Sequence, residues 1–309
     1  MSRVVAAVDC GTNTIKLMIA TLSPEGGADV HVRTSRMVRL GQGVDRTGEL
    51  ADEAMDRAFA AIDEYADLIR QSAADGRPVE AIRFCATSAT RDASNGHVFA
   101  AGVKQRLGIE PEVVAGHEEA RLSFDGAVRN LRSVPASPVL VLDIGGGSTE
   151  MILGDTAPEA EDSMDIGSVR MHERHLHTDP PTEAEIAAAV ADIDAHLDAC
   201  PVDPSLAQTV VGVAGTIITV AAGVLELTSY DRDAIDQAVL ERADVHAFAE
   251  RLLAMSVEER LALPFMHPGR ADVIGAGALI LDRILRRTSA ESIVVSEADI
   301  LDGIAWSMA

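Results

Sequence analysis

Val139-Leu140-Val141-Leu142-Asp143-Ile144-Gly145-Gly146-Gly147-Ser148-Thr149-Glu150-Met151-Ile152-Leu153 decides how this chain is read. The Val/Leu run reads as a buried strand, and Met151-Ile152-Leu153 as the strand that returns alongside it. Between them, Gly145, Gly146 and Gly147 let the backbone turn so tightly that successive amides can face an anion. An acid stands at each end of the turn, Asp143 leaving the first strand and Glu150 entering the second. Carboxylates beside a phosphate suit Mg²⁺, which is usually held by one or two carboxylates plus phosphate oxygens.

Three other readings of this turn compete with a phosphate loop. A Walker loop requires a Lys and a Ser or Thr after its last glycine, and no Lys follows Gly147. A dinucleotide fingerprint wants a third glycine where Glu150 stands and a helix afterwards, whereas Met151 onward reads as a strand. A plain hairpin turn seldom keeps an acid at both ends. A strand–turn–strand phosphate loop is the reading that remains.

The chain has 309 residues, above the usual single-core limit, so two domains are expected. Apolar residues make up 47% and charged residues 24%, an ordinary globular balance. The start, Met1-Ser2-Arg3-Val4-Val5, runs directly into an apolar strand without a signal peptide's regions, which leads to an expected cytoplasmic location. Thr209 to Leu227 is broken by Gly212, Gly215 and Gly223 and reads as core rather than a membrane span. Cys10, Cys85 and Cys200 are odd in number and scattered, as expected of reduced packing cysteines. With 26 basic against 49 acidic residues the net charge is −23, which disfavours nucleic acid as a partner. The same field repels a polyanion at long range, so phosphate affinity must come from a metal and a few local cations.

Taken in order, the chain first offers Val4 to Val8 as a short buried strand ending in Asp9-Cys10-Gly11-Thr12-Asn13-Thr14, with Ile15 to Ala20 apolar again. Laid on the later stretch without a gap, Asp9 falls on Asp143, Gly11 on Gly145, Thr14 on Ser148 and Lys16 on Glu150, a constant offset (143 − 9 = 134). A repeat at that spacing predicts two similar domains facing each other. Met55, Phe59, Ile62, Ala66 and Ile69 fall at helical spacing. Val79 to Cys85 reads as a strand delivering the polar turn Thr87 to Arg91, and Asn95 as the cap of a helix. Glu112 to Gly116 reads as a strand, Glu118 to Arg121 as a helix start, and Ser133 to Pro138 as a linker. Thr182 and Glu185 have capping-box spacing, Val210 to Ala214 is a buried strand ending in Gly215-Thr216, and helices come at 243–255 and 271–287 before a strand at 292–295. His172, His175 and His177 lack zinc-protease spacing and read as surface histidines.

Four segments together, Ala7 to Ala20, Ala86 to Asn95, Val114 to Leu122 and Val139 to Gly154, resemble the exopolyphosphatase and guanosine pentaphosphate phosphatase family of the actin-like, sugar-kinase-like ATPase superfold. Gly116-His117-Glu118-Glu119-Ala120-Arg121 combined with Asp143 to Glu150 is far more specific than either glycine turn alone. Weaker matches lie at Gly215-Thr216-Ile217, Arg270 to Val273 and Ser296 to Ile304, so the likeness spans nearly the whole chain.

The resemblance implies an α/β fold of two ribonuclease H-like (actin-like) domains with an interdomain cleft, here placed at 1–132 and 133–309, with a C-terminal helix at about 298–309 packing back on the first. It implies Mg²⁺-dependent release of terminal phosphate from inorganic polyphosphate or guanosine pentaphosphate, in a homodimer. Glu119 matches the family's catalytic glutamate, which orients or deprotonates water; the residues alone read Glu118 and Glu119 as acids suited to a helix start. Asp143 and Glu150 match the metal-binding acids. Gly145, Gly146, Gly147 and Ser148, the facing Asp9, Gly11, Thr12 and Asn13, and the second loop Gly215-Thr216 match phosphate-binding positions. Arg91 falls on an arginine that suits a phosphate clamp, with a solvated surface arginine as the plain alternative, and Arg270 either joins the site or pairs with Asp272.

Longer family members continue into helical domains that handle long polyphosphate, whereas this chain stops at Ala309, so short chains are the expected substrate. Guanosine pentaphosphate hydrolysis, a non-catalytic phosphate sensor, transfer to ADP and a sugar kinase on the same superfold are the other readings. The kinase is disfavoured because no sugar-site motif accompanies the paired glutamates.

Overall fold

Val4 to Val8 lie in β1 (Arg3–Cys10), the middle strand of a five-stranded sheet, whose apolar run is buried on both faces because helices cover both. A computed structural model describes residues 2–23, 27–133 and 135–309. β2 (Thr14–Leu22) and β3 (Ala28–Met37) continue antiparallel on one side of β1, and β4 (Ala81–Ala86) and β5 (Glu112–Val113) run parallel to it on the other, giving the order β3-β2-β1-β4-β5. Successive side chains of β1 point to opposite faces. Ala6, Val8 and Cys10 therefore join one apolar cluster, with Met55, Ile62 and Tyr65 of the helix Asp52–Ala74 and Phe99 of the helix Gly96–Leu107. Val5 and Ala7 join a second cluster, closed by Ile300, Leu301 and Ile304 of the helix Ile300–Trp306. A bidentate Arg33–Asp302 pair, with distances of 2.9 and 2.7 Å, ties that last helix to β3.

The second sheet is built the same way. β6 (Val139–Ile144) is central, β7 (Thr149–Gly154) and β8 (Pro158–Met164) continue antiparallel, and β9 (Thr209–Val213) and β11 (Ser292–Val295) run parallel to β6, with β10 (Val239–Glu241) added antiparallel at the edge. Leu140, Leu142 and Ile144 pack with Ile193 of the helix Glu183–Ala199, Ile217 and Val220 of the helix Ala214–Val224, Leu252 of the helix Arg242–Ala254 and Ile280 of the helix Ile274–Leu285. The Thr182–Glu185 capping box forms as its spacing predicts.

Two compact units result, Met1–Leu122 with Ile300–Ala309, and Ser123–Asp299. The division falls inside the helix Gly116–Arg129, ahead of the proline-containing stretch, whose Val134 lies outside the described residues. Leu122 belongs to the apolar cluster with Ile300, while the next residue, Ser123, donates its hydroxyl to Asp143.

Two local expectations need correction. Asn95 does not cap the helix Gly96–Leu107 through its side chain; its amide instead makes a two-way pairing with the backbone of Leu50, at 2.8 and 2.9 Å. An amide carries both donor and acceptor, so it can satisfy both groups of one residue, where a cap satisfies a single N–H. The segment Thr87 to Arg91 is largely a short helix, Ser88–Asp92, rather than a turn. Of the three histidines, His175 is tied into the fold, its Nε2 lying 2.8 Å from Asp192 Oδ2. Burial raises the Asp192 pKa, but His175, Arg174 and His196 outweigh it and hold the carboxyl below its ordinary value.

Candidate functional site

The repeated turns are alike in register as well as in sequence. In the first hairpin Asp9 stands opposite Lys16, and in the second Asp143 stands opposite Glu150, so both rungs keep the same offset (143 − 9 = 150 − 16 = 134). Each turn is closed by the same bond, Gly11 N to Thr14 O at 3.0 Å and Gly145 N to Ser148 O at 3.0 Å.

Their charges differ. Lys16 Nζ lies 3.1 Å from Asp9 Oδ2, so the first rung neutralises itself. The second rung opposes two buried carboxylates, whose side chains leave the backbone roughly 4.5–5.5 Å apart and repel each other. Ser123 Oγ donates to Asp143 Oδ2 and Ser163 Oγ to Glu150 Oε1, both at 2.7 Å, which orients the carboxylates without neutralising them. A divalent cation fits this pair: the donors are hard oxygens, directly opposed across the rung. Among the described residues no cluster of three or more His, Cys, Asp or Glu side chains forms a metal site.

The glycine turn is oriented by the helix Ser168–His175, which comes soon after β8. Ser168 N donates to Gly145 O at 2.9 Å, and Val169 N and Arg170 N to Gly146 O at 2.9 and 3.1 Å, all from the first turn of that helix. Because a trans peptide is planar, a carbonyl drawn toward the helix turns the next N–H away from it. The amides of Gly146 and Gly147 therefore share one side of the turn, the arrangement of an anion-binding nest. The approach is so close that a Cβ on Gly167 would lie 2.4 Å from Gly146 O.

Strand register brings the second loop alongside. Asp143 pairs with Val213 in the parallel β6–β9 ladder, so both loops leave the sheet at the carboxyl ends of neighbouring strands, the usual ligand edge of such sheets. Ala214, at the strand-to-helix junction, has a φ of 69°, a conformation a non-glycine residue holds only under constraint. Arg270 joins this loop, donating Nη1 to Gly215 O at 2.9 Å, its guanidinium lying where a Cβ on Gly215 would be 2.3 Å from Cζ. Burial lowers the Arg270 pKa, and Glu297 and then Tyr230 oppose that shift. Thr216 is buried against Gly277, where a Cβ would come within 2.7 Å of its methyl group.

In the first unit the same edge carries Asp9, Gly11, Thr12 and Asn13. Asp9 pairs with Cys85 in the parallel β1–β4 ladder, and Thr12 Oγ1 and Ser88 Oγ share a 2.9 Å hydrogen bond that joins the two strand ends. The Asn13 carbonyl accepts from Val38 N and Arg39 N, both at 2.9 Å. Arg91 is not a solvated surface arginine: Nη1 donates to Glu119 Oε2 at 3.0 Å and to Val114 O at 3.1 Å. Glu119, buried in the first turn of the helix Gly116–Arg129, thus accepts from a guanidinium. Glu118 points to a different partner, accepting from Arg83 Nη2 at 2.5 Å.

Sequence reasoning missed Ser123, Ser163 and Arg170 as supports of these groups. Each contacts its partner across at least a dozen residues of chain, and nothing in local spacing marks a serine that orients a carboxylate.

Two sheets that share a five-strand order, the second with β10 added at its edge and each with a glycine-containing hairpin turn at its ligand edge, define a two-domain actin-like α/β protein. The family model described as "Ppx/GppA phosphatase family" matches residues 22–309. Exopolyphosphatase 2 of Mycobacterium tuberculosis is 45% identical over 320 residues, covering 99% of this chain and 98% of that protein. Among solved structures, an exopolyphosphatase-like protein superposes with a TM-score of 0.95 at 42% identity, covering 99% of this chain and 98% of its own. The Aquifex aeolicus Ppx/GppA family member does so with a TM-score of 0.82 at 28% identity, covering 100% of this chain and 98% of its own. The chain belongs to the Ppx/GppA phosphatase family.

Proposed function

We propose that this protein is a Mg²⁺-dependent exopolyphosphatase that hydrolyses the terminal phosphoanhydride of inorganic polyphosphate. The observation that carries the reading is the opposed pair Asp143 and Glu150 at the base of a glycine nest, supported by the likeness to Exopolyphosphatase 2. Asp143 and Glu150 would hold the cation, which when bound neutralises phosphoryl oxygens. The nest of Gly145, Gly146, Gly147 and Ser148 binds the terminal phosphoryl group, and Gly215 and Thr216 bind a neighbouring one. In the first unit, Asp9, Gly11, Thr12 and Asn13 contribute to phosphate binding. Glu119 acts as general base, accepting the proton of the attacking water, and Arg91 holds its carboxylate for that task. Water attacks phosphorus, the P–O bond to the leaving chain breaks, and the shortened chain departs with that oxygen.

The net charge of −23 favours short chains, because each added phosphate meets the same repulsive field. A cytoplasmic homodimer is part of this reading; no helix among the described residues is long and apolar enough to cross a membrane. The test is phosphate release, with and without Mg²⁺, from tripolyphosphate, long polyphosphate and guanosine pentaphosphate in parallel. Metal-dependent release from tripolyphosphate is expected. Release confined to guanosine pentaphosphate would reassign the substrate, and binding without release would make the protein a sensor.

A further inference from the structure

The helix Ser168–His175 spends its first amides on Gly145 O and Gly146 O, and the third carbonyl of the turn, Gly147 O, is met by a side chain. Arg170 Nε donates to it at 2.7 Å. The Arg170 side chain is only 11% exposed, and an acidic neighbour, Asp165, is 3.8 Å away and largely exposed. A cation is therefore largely buried behind the glycine turn, with its Nε–H donated to a backbone carbonyl.

That contact fixes a peptide plane. Because the Gly147–Ser148 peptide is planar and trans, drawing its carbonyl toward Arg170 turns the Ser148 N–H the opposite way, to the side shared by the amides of Gly146 and Gly147. A charged donor also bonds more strongly than a neutral one and polarises the peptide, which makes the Ser148 N–H a better donor in turn. We propose that Arg170 is a positioning residue of the phosphate loop, acting through the Gly147 carbonyl to aim the Ser148 amide at the bound phosphoryl group. The inference rests on the phosphate-binding reading of this turn. It assigns Arg170 no contact with substrate.

The test compares the wild type with Arg170→Met, which keeps the stem and removes the donor, and Arg170→Lys, which keeps the charge but puts a methylene where Nε stands. Inorganic phosphate, in the presence of Mg²⁺, is titrated by calorimetry, and KM and kcat for tripolyphosphate are measured alongside thermal unfolding. Both variants are expected to bind phosphate about tenfold more weakly, the scale of one charge-assisted hydrogen bond, with KM rising in parallel and kcat changing far less. Asp165→Asn, which leaves the bond to Gly147 intact, should bind phosphate as the wild type does. Unchanged phosphate affinity in either Arg170 variant overturns the proposal; should Arg170→Met fail to fold, Arg170→Lys alone decides. Wild-type protein that binds no phosphate also overturns it. Wild type that binds phosphate but hydrolyses no phosphoanhydride removes the enzymatic reading and leaves the positioning role standing.

Discussion

Replacing Glu150 with Lys would give the second hairpin the charge arrangement of the first. In the first hairpin the Asp9–Lys16 rung closes at 3.1 Å, and in the second the corresponding rung opposes Asp143 to Glu150. A cross-strand charge pair contributes roughly 0.2–1 kcal/mol in either direction, so turning repulsion into attraction is worth about 0.4–2 kcal/mol in the metal-free protein. For a domain of this size, that corresponds to a rise of about 1–8 °C in the melting of the second unit. Glu150→Gln, which removes the repulsion without adding attraction, should fall between the variant and the wild type. The metal response should run the other way. Mg²⁺ at about a hundred times its dissociation constant stabilises a protein that binds it by about 2.7 kcal/mol, so the wild type should gain several degrees while Glu150→Lys gains none. Calorimetric melting in chelator and then in Mg²⁺ reads both effects, and phosphate release from tripolyphosphate should fall at least about a hundredfold in the variant. A melting point for Glu150→Lys that Mg²⁺ raises as far as the wild type's would refute the reasoning, as would a metal-free Lys variant that melts below the Gln variant.

The same geometry leads to other measurable outcomes. Glu119→Gln keeps the size of the side chain beside Arg91 but cannot take a proton, so turnover should drop by about 10²–10⁴ with melting little changed; retained turnover would remove Glu119 from the mechanism. Gly167→Ala forces a Cβ to 2.4 Å from Gly146 O, and the loop must shift; a loss of about 1–3 kcal/mol in stability and a raised KM are expected, and wild-type values for both would show that the contact is slack. Glu185 accepts from Thr178, Thr182 and His177, with the Thr178 hydroxyl the largest influence, and its pKa is lowered from 4.5 to about 2. A depressed carboxyl pKa gives stability that is fully present above about 4.5 and lost as pH falls toward about 2, so acid titration of the wild type should show a loss in that window that Glu185→Gln lacks.

Much of the fold was legible because it is written at short range. The strand–turn–strand repeat rests on short apolar runs and on glycines at fixed offsets, and the Asp9–Lys16 and Asp143–Glu150 rungs come from hairpin register alone. The Thr182–Glu185 box is likewise a local matter of three residues' spacing. Asn95 shows where local rules stop: its sequence context is that of a cap, but the backbone of Leu50, brought near only by folding, offers its amide two bonds instead of one.

The sequence by itself therefore determined the strand–turn–strand repeat and the glycine turn with its flanking acids, since periodicity, turn chemistry and charge are properties of neighbours along the chain; the actin-like architecture and the role of Glu119 came from the family resemblance. Only the tertiary structure decided how those groups are held: Arg91 on Glu119, Ser123 on Asp143, Ser163 on Glu150, and the Ser168–His175 helix with Arg170 on the carbonyls of the turn. Those side-chain partners lie from 13 to 28 residues away. Which serine or arginine reaches a given oxygen depends on packing across strands and helices, which no local pattern encodes.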